Sequence, residues 1–303
     1  MTPELLLTDS GLETVLVFHD GTDLPAFAAF PLLQNEGGRA RLARYYQEHL
    51  AIAAHYGTGF VLETPTWRVN RDWGAELGYS EDDLRRVAHD SVAFVDDLAA
   101  TWQGTGALLR SAVLGPRGDG YVPGTTMRPD EAADYHRQQV RDYSDAGADQ
   151  VSALTLSYVA EAVGIAAAAA EIGIPAVIGF TVETNGRLPS GATLEEAIAT
   201  VDESTASYPR WYTINCAHPE HIARGITEGA DWSRRIGALR ANASRLSHAE
   251  LDVATELDAG DPAELAQGYL QLAASLPGLR VVGGCCGTDA RHVAALAQAF
   301  AAA

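Results

Sequence analysis

The sequence predicts a single (β/α)8 barrel covering residues 1–303. Eight short apolar runs recur along the chain, each followed by a longer stretch of helical periodicity. The runs are almost continuously hydrophobic, as strands of a parallel sheet covered on both faces should be. A chain of 303 residues with no low-complexity linker and no charge block suits one such barrel. An open doubly wound sheet is the competing arrangement. It calls for a glycine-rich turn after the first strand, and Asp9-Ser10-Gly11-Leu12-Glu13-Thr14 is no G-x-G-x-x-G.

The first run is Leu5–Asp9. A helix over Arg39–Tyr56 follows, with Leu42, Ala43, Tyr46, Leu50 and Ala53 close to the 3.6-residue period. It leads to the second run, Gly59–Glu63. Ser80 caps the next helix, with Asp82 and Asp83 in its first turn. After the run Leu108–Leu114, Pro129 and Gly147 bracket a further helix. The remaining runs are Gln150–Leu156, Ala176–Val182, Trp211–Cys216, Arg235–Ala241 and Leu279–Gly284. The helices after them are Ala160–Ile172, Leu194–Val201, Pro219–Glu228, Pro262–Ser275 and Ala290–Ala302.

Composition excludes several partners. Forty acidic against 21 basic residues give a net charge of −19, which repels nucleic-acid phosphates and anionic membrane surfaces. The longest apolar stretches, such as Ile165–Ala170, are too short to span a bilayer. The opening residues MTPELLLTDS carry Glu4 and no basic cluster, which argues against a secretory leader and makes the cytoplasm the expected compartment. Assembly into an oligomer is left open.

Three cysteines, two of them adjacent, make a poor disulfide framework. In a barrel, chemistry gathers at the carboxyl ends of the strands. Those ends carry Asp9, Glu63, Thr155, Glu183, Asn215, Asn242 and all three cysteines. Cys216 closes the sixth run. Cys285 and Cys286 close the eighth, with one strand between. Three converging thiolates suit Zn2+, with its tetrahedral habit, and leave a fourth position open. Such a centre is net negative and a weak Lewis acid. It is better suited to holding an incoming thiol, with an ordinary pKa of about 8.5, as its thiolate.

Four segments carry a family resemblance: D-S-G-L-E-T at 9–14, N-C at 215–216, R-A-N-A-S at 240–244 and G-G-C-C-G-T at 283–288. Together they resemble the homocysteine S-methyltransferase family, from Leu5 to the last helix. That family includes zinc-dependent enzymes using betaine or S-methylmethionine, and the homocysteine half of cobalamin-dependent methionine synthase. The resemblance implies Cys216, Cys285 and Cys286 as zinc ligands, Asp9 and Gly11 beside homocysteine, and Asn242 near the metal. Their rim positions add Glu63 and Thr155 as candidate substrate-binding residues. The implied activity moves a methyl group from a sulfonium, S-methylmethionine or S-adenosylmethionine, to homocysteine, giving methionine. No catalytic side chain is implied beyond the zinc-activated substrate thiolate.

The chain departs from the family pattern at Ser10, Leu154 and Ala241. Leu154 stands where an acidic residue receives the amino group of homocysteine. Glu63, Glu161 or Glu183 would have to substitute, or the acceptor is a different small thiol or selenol. A barrel that binds zinc or thiol without catalysis is the third alternative. Trp67, Trp73 and Tyr158 lie after strand ends, where aromatic faces attract a sulfonium. His218 is either a further ligand or the start of the helix opened by Pro219. The segment 115–120 reads as a flexible mouth loop, either a lid or a connection.

Overall fold

The computed structural model describes residues 5–302. Glu4 and the extreme ends of the predicted domain lie outside the described residues. The strands are β1 (Leu6–Leu7), β2 (Gly59–Glu63), β3 (Leu108–Leu114), β4 (Gln150–Leu156), β5 (Ala176–Phe180), β6 (Trp211–Asn215), β7 (Ile236–Ala241) and β8 (Val281–Gly284). All pair in parallel and in sequence order, and β1 closes the barrel on β8 through Leu6 with Val281 and Leu7 with Val282. This is the predicted (β/α)8 barrel.

Alternation along the strands divides the apolar residues into two layers. Leu7, Phe60, Ile178 and Leu239 face the helices and join the large outer core. Leu6, Val61, Val177, Trp211, Ala238 and Val281 form a separate, smaller cluster. Leu6, Trp211 and Val281 begin their strands, so this cluster fills the barrel toward its amino-terminal end and leaves the opposite mouth to polar side chains.

β1 is shorter than the expected Leu5–Asp9, yet its ladder continues: Thr8 N donates to Val282 O at 3.0 Å and Gly284 N to Asp9 O at 2.8 Å. The helix expected from Arg39 begins at Glu36, because the Asn35 side chain caps it by accepting from Gly38 N at 2.7 Å. Ser80 caps Glu81–Ala99 in a reciprocal box with Asp83. The helix from Pro219 stops at Gly225, short of Glu228. Two short helices, Arg71–Glu76 and His248–Asp252, have no counterpart in the periodicity and occupy loops after β2 and β7. No helix among the described residues is long and apolar enough to cross a membrane.

Candidate metal centre and its pocket

β7 splints the two cysteine-bearing strand ends. Arg240 O accepts from Cys216 N at 3.0 Å, and Ala241 O accepts from Cys285 N at 2.9 Å. Cys216 follows β6 in a left-handed conformation, φ 55°, which turns it back over the mouth. The Cys216 sulfur lies 2.6 Å from that of Cys285 and 3.9 Å from that of Cys286. The three sulfurs lie within 4.8 Å of one another, and no further His, Asp or Glu among the described residues joins them. Cys285 and Cys286 donate to Cys216 and hold its thiol well below the ordinary range. A converged thiol set with no fourth protein ligand among the described residues is what a soft cation with one open position requires.

The Tyr121 hydroxyl donates to the Cys216 sulfur at 3.4 Å. Burial first, then the thiols, raise this phenol well above its usual range, so it stays a donor. Its ring stacks on His248, centroids 4.2 Å apart. His248 Nε2 donates to the Cys216 carbonyl at 2.6 Å, and Nδ1 faces Glu183 Oε1 at 3.0 Å. The small helix after β7 thus supports the sixth strand's cysteine from outside.

Beside the thiols is a cavity of about 80 Å3. Its walls include Asp9, Gly11, Glu63 and Thr155, four of the five residues expected to meet substrate, and also Leu154. Asn242, the fifth, lines an adjoining cavity with Cys286 instead. Two of the four wall residues are already engaged. The buried Arg240 guanidinium pairs with Asp9 at 2.5 Å and with Glu63, and donates through Nε to Gly284 O at 3.0 Å. Asp9 also accepts from Tyr45 Oη at 3.2 Å. The departure at Ser10 is accommodated locally: its hydroxyl bonds His49 Nε2 at 2.9 Å and Tyr45 Oη at 3.0 Å.

The remaining acid in the wall is Glu13, on the turn after β1, and it forms no ion pair among the described residues. Desolvation raises its carboxyl to about 7. The two other acids weighed as replacements at Leu154 lie elsewhere. Glu161 is fully buried against His136, and Glu183 belongs to His248. Trp67 lines both cavities, whereas the Tyr158 hydroxyl is spent accepting from Met127 N. His218 is the N-cap of Pro219–Gly225, its Nδ1 accepting from Glu220 N at 3.2 Å, and is no member of the thiol cluster. The 115–120 loop is tied down: the Pro116 and Gly118 carbonyls accept from Asn70 and Arg68, and Arg117 N donates to Glu161. It is a connection that delivers Tyr121. Sequence reasoning passed over Glu13, Arg68, Tyr121, Arg240 and His248.

The fold and the thiol cluster define a parallel (β/α)8 barrel enzyme with a metal-type cysteine centre at its carboxyl-terminal mouth. The chain belongs to the homocysteine S-methyltransferase family, whose model matches residues 6–300, and is a methyltransferase of that family. Among solved structures it is similar to the homocysteine methyltransferase MmuM from Escherichia coli. The metallated form superposes with a TM-score of 0.74 at 20% identity, over 97% of this chain and 96% of that one. The oxidized form gives 0.73 at 22% identity, over 96% and 94%. No curated protein sequence matches the chain.

Proposed function

We propose that the protein moves a methyl group from a sulfonium donor, S-methylmethionine or S-adenosylmethionine, to the thiolate of homocysteine, giving methionine. Zinc is the metal we assign to Cys216, Cys285 and Cys286. The observation that carries the reading is the convergence of three thiols at the mouth of a barrel of this family. A zinc ion held there would remove the proton of an incoming thiol and keep the sulfur nucleophilic.

The chain's own residues supply the rest. Tyr121 donates to the Cys216 sulfur and fixes its direction. Asp9, Gly11, Glu63 and Thr155 wall the acceptor pocket, and Asn242 faces the adjoining cavity. Glu13, unpaired, takes the acceptor's ammonium in place of the acid that Leu154 lacks. The acceptor sulfur forms the new S–CH3 bond as the donor's S–CH3 bond breaks. The electron pair stays on a neutral thioether, so no general acid is needed. We assign the activity to methionine biosynthesis in the cytoplasm.

The test is methionine formation by zinc-loaded protein from homocysteine with each sulfonium. Absence of methionine from both would overturn the reading. A second reading, a thiol acceptor without an amino group, is favoured by Leu154 and by the engagement of Asp9 and Glu63 with Arg240. Equal turnover of homocysteine and 3-mercaptopropionate would decide for it.

A further inference from the structure

Glu161 and His136 are fully buried and line neither cavity at the barrel mouth. His136, on the helix Pro129–Asp145, donates through Nε2 to Glu161 Oε1 at 2.9 Å. Glu161 stands in the first turn of the helix Val159–Ile172. Burying such a pair costs desolvation that its own attraction barely offsets, and apolar side chains of similar volume serve stability as well. What the pair adds is a directed acceptor. The same Oε1 accepts from the backbone N of Arg117, in the loop after β3, at 2.8 Å. That bond is charge-assisted and shielded from water. The Arg117 side chain also meets Asp72, but this ion pair is exposed and weak by comparison.

The residues after Arg117 carry Tyr121 to the thiols. Gly118 O accepts from Arg68 Nη1 and from Trp73 Nε1, each at 3.4 Å. Asp119 Oδ1 accepts from Tyr121 N at 2.7 Å and from Val122 N at 3.0 Å, a turn that sends Tyr121 toward the cavities and leaves Val122 exposed. Gly120 lies against the end of β4, where a Cβ would sit 2.9 Å from Thr155 Cγ2. The Tyr121 hydroxyl then reaches the Cys216 sulfur at 3.4 Å. Four residues thus separate a buried anchor from the hydrogen-bond donor of the thiol centre.

We propose that Glu161, oriented by His136, is a positioning residue for the thiol centre: it anchors the Arg117 amide so that the Asp119 turn delivers the Tyr121 hydroxyl to the Cys216 sulfur. The inference rests on the reading of the three thiols as the metal-holding site and adds the residues that aim their donor. A hydrogen bond to a ligating sulfur draws electron density from it, so the buried pair acts on the centre through Tyr121 without touching it.

The experiment uses the full-length protein, metal-free for amide hydrogen exchange of residues 115–122 and loaded with Co2+ for the sulfur-to-metal charge-transfer band. His136→Leu combined with Glu161→Met replaces the pair by apolar side chains and keeps the core filled. Arg117→Pro leaves the pair intact and removes the amide donor together with the side chain; Arg117→Leu removes the side chain alone. The double variant and Arg117→Pro should each speed exchange across 115–122 by about tenfold or more, the effect of losing one charge-assisted bond. Both should move the band to the lower energy given by Tyr121→Phe, and adding Tyr121→Phe to the double variant should move it no further. Arg117→Leu should match the wild type in both readouts. An unmoved band in the double variant and in Arg117→Pro, with or without faster exchange, would overturn the proposal, as would a band that Tyr121→Phe does not move. A wild type that takes up no Co2+ would overturn the metal reading, and the exchange rates would then decide by themselves whether Glu161 anchors the loop.

Discussion

Asn215 holds Thr155 in a left-handed backbone conformation across the barrel mouth. Its Oδ1 accepts from Thr155 N at 3.0 Å, and its Nδ2 donates to Thr155 Oγ1 at 2.7 Å. Thr155 sits at φ 65°, where β4 breaks register against β5, and a β-branched residue rarely adopts that conformation. The residue after Asn215 is Cys216, itself left-handed at φ 55°. One side chain therefore fixes the strained end of β4 and precedes the second left-handed residue, and both line the same pocket. Asn215→Ala should lose about 2–4 kcal/mol of stability, the cost of two buried bonds with one amide left unpaired. Chemical denaturation measures it, and a loss below 0.5 kcal/mol on the order-of-magnitude scale of surface changes would show that the clamp is idle.

Gly11 lets the turn after β1 press on the metal loop. A Cβ there would overlap the Cys285 carbonyl oxygen and the Thr14 hydroxyl, and that hydroxyl accepts from Gly287 N at 3.2 Å. The carbonyl is backbone and cannot swing aside. Gly11→Ala should displace the Cys285–Gly287 turn and weaken metal retention by roughly tenfold or more, the scale of losing support around a metal site. Competition with a zinc chelator checks this. Unchanged retention would mean that the turn accommodates a methyl group freely.

The parts legible in sequence are those where residue type alone carries the physics. Strands covered on both faces had to be apolar, so all eight could be read, with the expected runs overshooting the strands by one or two residues at an end of β1, β5, β6, β7 and β8. Cysteines are few and chemically distinct, so their clustering at two strand ends stood out. Arg240 did not. It sits within an apolar strand, and its partners Asp9 and Glu63 are far away in the chain, so only barrel closure unites them. Tyr121 and His248 lie on loops without periodicity, and Glu13 is masked by the glycine motif around it. Asn242, expected near the metal, lines the second cavity together with Cys286 and not the first.

Removing one thiol should separate the metal centre from the fold. Cys286 is only partly buried and follows the end of β8, so Cys286→Ala removes little core packing. The variant should keep the wild-type circular dichroism spectrum and lose bound zinc and activity together. Metal analysis and methyl-transfer assays on the same sample are the check. Full activity in metal-free protein would contradict the proposed role of the thiols.

Glu13 is the pocket acid that forms no ion pair among the described residues, so its neutralisation should act on the acceptor alone. Glu13→Gln should raise KM for homocysteine by about tenfold, as losing one charge-assisted bond does, and leave KM for 3-mercaptopropionate within about twofold. Zinc content should not change. An equal rise for both thiols would remove Glu13 from amine recognition and return that role to Asp9 or Glu63.

His218 makes the fold acid-sensitive near one helix. Its Nδ1 caps Pro219–Gly225 by accepting from Glu220 N, which only an unprotonated ring nitrogen can do. Burial, then the Arg245 charge, lowers its pKa to about 4. The unfolded chain takes up this proton near pH 6.5, and the folded chain resists it until about pH 4. Between those values the unfolded state binds more protons, so stability is complete above about pH 6.5 and declines as pH falls toward 4. Solvent screening reduces the ideal linkage to about 2 kcal/mol. His218→Asn keeps a capping acceptor without a titrating group, so its stability should change less between pH 7 and pH 4.5 than the wild type's. Urea denaturation of both proteins at the two pH values measures the difference, and parallel losses would assign the acid sensitivity to another group.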